Sequence, residues 1–129
     1  MYILYLEIDS LPKSLNKKLR SNRFKNHREN KSWDLMIEVL CQGRKPKIAL
    51  SRASISIVRH SHRFLDYDGL VGSMKPVVDA LVTAKVLKDD TWNITGKWNV
   101  DQRFRSKKEG PLLEVFIQAK PDEFDTSTQ

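Results

Sequence analysis

The sequence predicts a single α+β domain in which a mixed sheet carries two main helices, and three observations lead there. Apolar and polar residues alternate through Lys47 to His60, Trp92 to Phe104 and Leu113 to Ala119, the period of two that gives a strand one buried face. Apolar residues recur at helical spacing from Ser32 to Cys41 and from Gly69 to Ala84. The 129-residue length suffices for one core, and the single cysteine, Cys41, excludes an internal disulfide, so a reducing cytoplasm is the expected compartment. Residues 1–120 are expected to form the domain, with 12–31 as a basic loop or arm and 121–129 as an acidic, fraying tail.

Tyr2 to Asp9, rich in Ile, Leu and Tyr, is expected to be a strand covered on both faces. It is too short to span a bilayer and meets Glu7 and Asp9 at once, so no membrane partner is expected. From Ser32 the residues Trp33, Met36, Ile37, Leu40 and Cys41 form one helical stripe, with Asn30 or Ser32 as its cap and Gly43 and Pro46 closing it. Cys41 on that stripe is a core filler. Ala53, Ile55 and Ile57 oppose Arg52, Ser54 and Ser56, a half-buried strand. Leu70, Met74, Val77, Val78, Leu81 and Val82 follow helical spacing, and Pro76 imposes a kink or a helix that begins just before it. Trp92, Ile94, Trp98, Val100 and Phe104 share one parity, as do Leu113, Val115, Ile117 and Ala119. The polar connection Ser106 to Pro111 makes these two runs an expected antiparallel hairpin, with Trp92 and Trp98 in the core.

The formal charge is +7, and its distribution matters more than its size. Lys13, Lys17, Lys18, Arg20, Arg23, Lys25, Arg28 and Lys31 stand against Glu29 alone, so this one window holds the whole excess. A basic run serves equally as a solvated face or as a nucleic-acid contact. A polyanionic partner suits it better than a small neutral substrate.

The window Arg63-Phe64-Leu65-Asp66-Tyr67-Asp68-Gly69-Leu70 places two carboxylates two residues apart just beyond a strand. In extended backbone they share a side and repel unless a cation lies between them. All-oxygen ligation suits a hard cation such as Mg²⁺, which binds through one or two carboxylates and keeps waters and substrate phosphates. Asp89 and Asp90 form a second acidic pair after the second helical segment. Either pair alone is ordinary turn chemistry. Together with Lys75 and the basic arm they make an acidic centre in a basic protein, which is what hydrolysis of a nucleic-acid backbone requires. His60 and His62 lack metal spacing and are expected to be solvated.

Asp66-Tyr67-Asp68-Gly69-Leu70, Lys75, Asp79-Ala80-Leu81 and Val86-Leu87-Lys88-Asp89-Asp90, with Pro12 and Asn16 after the first strand, resemble the signature of RusA-like Holliday junction resolvases. That resemblance implies a mixed α/β homodimer that cuts four-way DNA junctions by paired nicks with Mg²⁺, Mn²⁺ being able to substitute. It assigns catalysis to Asp66, Asp68, Lys75 and Asp90, and metal ligation to Asp66, Asp68 and Asp90 with Asp89 as their neighbour. DNA binding falls to Lys13, Asn16, Lys17, Lys18, Arg20, Arg23, Lys25 and Arg28. Gly69 departs from the family's usual asparagine, and the Asp68–Lys75 spacing exceeds that of the shortest members. For Lys75 an i, i+4 salt bridge to Asp79 on a helix surface is the alternative role. Two rival functions share these residues: a metal-dependent nuclease without junction preference, and a nucleic-acid-binding protein that keeps the fold without catalysis.

Overall fold

A computed structural model of the chain describes residues 1–13 and 23–121. Along the chain lie β1 (Ile3–Ile8), α1 (Arg23–Cys41), β2 (Ala53–Ser61), α2 (Tyr67–Ser73), α3 (Lys75–Thr83), α4 (Trp92–Thr95), β3 (Asn99–Phe104) and β4 (Leu112–Ala119). The strands form one mixed sheet in the order β1-β4-β2-β3. β4 pairs antiparallel with β1 and β2, and β3 runs parallel to β2. The α+β class follows directly from this arrangement.

Strand alternation puts a set of cross-strand rows on the inward face. Leu4, Ile117 and Ile55 form one row, and Leu6, Val115, Ile57 and Val100 form the next. The strand residues of both rows are buried except Val100, which packs at the margin of the core. Trp33, Ile37 and Cys41 of α1 and Val77, Val78 and Leu81 of α3 complete this core, and α1 and α3 pack on one another. The stripe expected from Trp33 to Cys41 is therefore the buried face of α1, and Cys41 is fully buried within it. The third row is different in kind: Ile8 and Leu113 are followed by Arg59 and Gln102.

Several expectations need correction. β1 is covered on one face only: Leu4, Leu6 and Ile8 are buried while Ile3, Tyr5 and Glu7 are exposed, because β1 is an edge strand and its apolar outward residues face no helix. α1 starts at Arg23 rather than near Ser32. Ser32 is no cap, since its hydroxyl donates to the Arg28 carbonyl at 3.1 Å within the helix. Glu29, the lone acid of the basic window, binds Lys13 through Oε2 to Nζ at 3.2 Å and accepts the Lys13 backbone N–H at 3.2 Å.

The run Trp92 to Phe104 is not one strand and forms no hairpin with β4. Its first residues make the helical turn α4, where the Ile94 and Thr95 N–H groups donate to the Thr91 carbonyl at 3.0 and 3.1 Å. Gly96 follows at φ 57°, a left-handed value that suits glycine. Only then does β3 begin, and β2 lies between it and β4. Trp92, outside the alternation, is 73 % exposed rather than in the core, and Phe104 is also exposed. Trp98 packs at the core margin, its Nε1 donating to Thr95 Oγ1 at 3.1 Å.

The second helical segment divides as Pro76 requires. α2 ends at Ser73, Met74 caps both helices, and Pro76 sits in the first turn of α3, where its missing N–H costs no bond. α3 closes with Lys85 at φ 64° and the Val86 N–H donating to the Leu81 carbonyl at 3.0 Å. The chain is then gripped by Leu50, which donates to the Val86 carbonyl and accepts from the Lys88 N–H, both at 2.9 Å. Among the described residues no helix is long and apolar enough to cross a membrane.

On the outward face the Tyr5 ring lies 6.5 Å from that of Phe116. The Tyr5 hydroxyl is 2.5 Å from Glu114 Oε2 and 2.9 Å from Glu7 Oε1. His60 Nε2 contacts Glu114 Oε1, so His60 is a hydrogen-bonded strand residue rather than a solvated one; His62 is exposed as expected. The Tyr5 hydrogen bond, followed by that of His60, holds the Glu114 carboxyl below the ordinary glutamate range, while the same bond pushes the Tyr5 phenol up. Stability from Glu114 is thus present above the ordinary glutamate range and is lost as pH falls through its lowered folded value. Glu114→Gln is predicted to destabilise the fold by about 1 kcal/mol at neutral pH, with the deficit shrinking in acid. Denaturant unfolding across pH tests this; a deficit independent of pH would contradict it.

Candidate functional site

Asp66 ends the loop after β2 and begins α2. Its backbone is extended, at φ −67° and ψ 166°, and its Oδ1 accepts the Gly69 N–H at 3.0 Å, a side-chain cap. Asp68 lies in the first turn of α2 and is exposed, where the helix dipole favours a carboxylate. The two carboxylates are therefore not neighbours on an extended strand, as the spacing suggested. Residues two apart at a helix start leave the backbone in different directions.

The loop bearing Asp66 is clamped by Gln102 of β3, whose Oε1 accepts the Leu65 N–H at 3.0 Å and whose Nε2 donates to the Leu65 carbonyl at 2.8 Å. Both polar groups of that peptide segment are thus satisfied next to the cap. Gln102 went unremarked in the sequence, although a polar residue at the inward parity of an alternating strand was the available signal. Arg59, in the same cross-strand row, carried the same signal.

Lys75 opens α3, and its Nζ donates to Asp79 Oδ1 at 2.7 Å and to Asp90 Oδ2. The i, i+4 bridge to Asp79 is present as foreseen, and Asp90 joins it from the far end of the crossover. Asp90 is itself oriented by its backbone N–H, which donates to Asp89 Oδ1 at 2.8 Å. Burial works against the Lys75 ammonium, but the Asp79 and Asp90 hydrogen bonds outweigh it and raise its pKa. The Lys75 bond in turn lowers that of Asp90. Both groups are therefore charged across the neutral range, and Lys75 acts as a fixed cation rather than a base.

Tyr67, between the two aspartates of α2, and Asp90 border one open cleft of about 330 Å³, together with Val71, Trp92, Lys97 and Trp98. The structure thus brings Lys75, Asp79 and Asp90 into contact and puts Tyr67, the residue between Asp66 and Asp68, on the same cleft as Asp90. Among the described residues no group of three or more His, Cys, Asp or Glu side chains is close enough to hold a metal ion. The donor chemistry still fits a hard cation: Asp66 and Asp68 are exposed carboxylates, and Mg²⁺ can bind through two such groups with water and phosphate oxygens completing its shell. Asp90 would join it only by sharing its charge with Lys75.

Of the basic residues expected to bind DNA, Asn16, Lys17, Lys18 and Arg20 lie outside the described residues. Lys13 is paired with Glu29, Arg23 opens α1, and Lys25 and Arg28 are exposed along that helix. No family model and no curated protein matches the chain.

Gly69 is buried, and a Cβ placed there would lie 2.5 Å from Asp66 Oδ1. Any side chain at 69 must turn the Asp66 carboxylate out of its cap. Gly69→Ala loses a cap bond worth about 1 kcal/mol and regains about as much in helix propensity, so its melting temperature is predicted to change little. On the reading of Asp66 as a metal ligand, metal-dependent activity is predicted to fall about 10–100-fold, the usual cost of losing a group that orients such a ligand. Gly69→Asn is predicted to behave the same way. Parallel melting and cleavage assays separate the two effects; unchanged activity in both variants would show that the capped orientation of Asp66 is irrelevant.

Proposed function

We propose that the chain is a divalent-metal-dependent endodeoxyribonuclease of the RusA-like Holliday-junction resolvase kind, cutting branched DNA by paired nicks in recombination and repair. The observation that carries this reading is the cleft bordered by Tyr67, the residue between Asp66 and Asp68, and by Asp90, which Lys75 contacts. A net charge of +7 concentrated between Lys13 and Lys31 supports a polyanionic substrate.

A bound Mg²⁺ would supply Lewis-acid charge at the scissile phosphate and a water of lowered pKa. The chain's own residues do the rest. Asp66 and Asp68 would hold the cation, with Asp66 kept in place by the Gly69 N–H and by the Gln102 clamp on Leu65. Asp90 would join them only by sharing its charge with Lys75. Lys75, permanently cationic, opposes the negative charge that builds on the phosphate oxygens. A homodimer follows from the substrate: two opposed nicks need two equivalent sites in fixed relation, which an isologous pair provides.

The Lys75–Asp90 contact also favours a second reading, a nucleic-acid-binding protein of the same fold in which the ammonium occupies a carboxylate that a metal would need. Incubating a synthetic four-way junction and its linear duplex arms with the protein, with and without Mg²⁺, separates the two. Junction cleavage that requires Mg²⁺ and spares the linear arms is expected. Asp66→Asn, Asp68→Asn and Asp90→Asn are each predicted to reduce cleavage by orders of magnitude while junction binding survives, since each removes a hard ligand and a charge that repels phosphate. Junction binding without cleavage by the unaltered protein would favour the second reading. Near-normal Mg²⁺-dependent cleavage by Asp68→Asn would sink the metal assignment.

A further inference from the structure

Arg59 is the one charged residue among the buried side chains named in the described core, at 8 % exposure. It continues the inward parity of Ala53, Ile55 and Ile57, so the fold directs its guanidinium to the helix side of the sheet at the end of β2. Nη1 donates to the Arg63 carbonyl at 2.7 Å, and Nε has no hydrogen-bond partner among the described residues. A guanidinium has five donors. Burying it without a carboxylate is costly, and burial pulls its pKa down accordingly.

The guanidinium lines a cavity of about 310 Å³ whose other polar walls are Ser61, His62, Arg63 and Lys107. No carboxylate is among its described lining residues. Three permanent cations and a histidine thus converge on a space large enough for a tetrahedral anion and its waters. We infer that this cavity is an anion site that takes a phosphate group, bound by the Arg59 guanidinium with help from Arg63 and Lys107. A guanidinium fork matches two phosphate oxygens at once, and a doubly charged anion offsets more of the converging positive charge than chloride can. The site is independent of the metal reading: it needs neither Asp66 nor cleavage. Because Arg59 also holds the Arg63 carbonyl, an occupant would be tied to the loop that leads into Asp66.

Titration of the whole chain with inorganic phosphate at constant ionic strength, by calorimetry and by the Arg59 Nε–H resonance, tests the inference. Saturable one-to-one binding is expected, with a shift of that resonance and no equivalent effect of chloride. Arg59→Met is expected to abolish it. Should Arg59→Met fail to fold, Arg63→Ala with Lys107→Ala, both at exposed positions, is expected to weaken binding about 10-fold or more. Phosphate binding that is absent, or unchanged in every variant that folds, would overturn the proposal. A short oligonucleotide, with and without a 5′-phosphate, distinguishes the source of the group. Competition by the unphosphorylated strand identifies a backbone diester, competition only by the phosphorylated strand a terminal phosphate, and competition by neither a free phosphate; each supports the site. Loss of junction cleavage with phosphate binding intact would count against the nuclease and leave the anion site standing.

Discussion

The inward parity of β2 is the constraint on which the remaining architecture depends. Its first half turns Ala53, Ile55 and Ile57 inward under the helices and is paired along its length with β4. Its second half keeps the same parity but carries Arg59 and Ser61. Because the period of a strand is two, these polar residues must face the same side as the core. The sheet therefore changes character along its length, from a packed floor to a polar end, and the loop bearing Asp66 leaves from that end. Gln102 enters the same row from β3 and spends its amide on the Leu65 peptide. Polarity at one end of the floor thus becomes a fixed starting point for α2.

Asp66 and Asp90 are held by different means. Asp66 is held by a backbone N–H of its own helix, so its orientation depends on the absence of a Cβ at position 69. Asp90 is held by a side chain from a different helix, and the charge of Lys75 sets both its position and its ionisation. Two carboxylates of one chemical type are therefore open to different perturbations: Asp66 is sensitive to local backbone and volume, and Asp90 to charge.

Much of this was legible in the sequence where a periodic pattern extended over several turns or pairs. The α1 stripe, the alternation of β2 and β4, and the division at Pro76 each rest on a repeat that burial enforces. The Lys75–Asp79 bridge was legible because its spacing is that of adjacent helical turns. Pairing was not legible. The residues of β3 show a parity, but parity is the same for a parallel and an antiparallel neighbour, and the polar turn at Ser106 to Pro111 suggested the wrong one. Trp92 was misplaced for a related reason: two residues of a helical turn and two of a strand can share a parity by accident. Asp66 and Asp68 were found by type and spacing, while their geometry depended on a cap that only the fold reveals. Arg59 and Gln102 were visible as polar letters at apolar positions and gained meaning only when the register placed them side by side.

The parallel pairing of β2 with β3 has a consequence for the order of assembly. Parallel neighbours cannot be joined by a tight turn, and the segment between them contains α2, α3 and α4 and with them Asp66, Lys75 and Asp90. The antiparallel ladders β1–β4 and β4–β2 each bury a row without any of these residues. The polar row closes when β3 meets β2, over a shorter excursion of chain than those that bring β4 to β2 or to β1, so its loop entropy is the least of the three ladders. Chain entropy therefore favours bringing the segment that bears the acidic residues together ahead of the ladders that β4, the last of the four strands in chain order, completes.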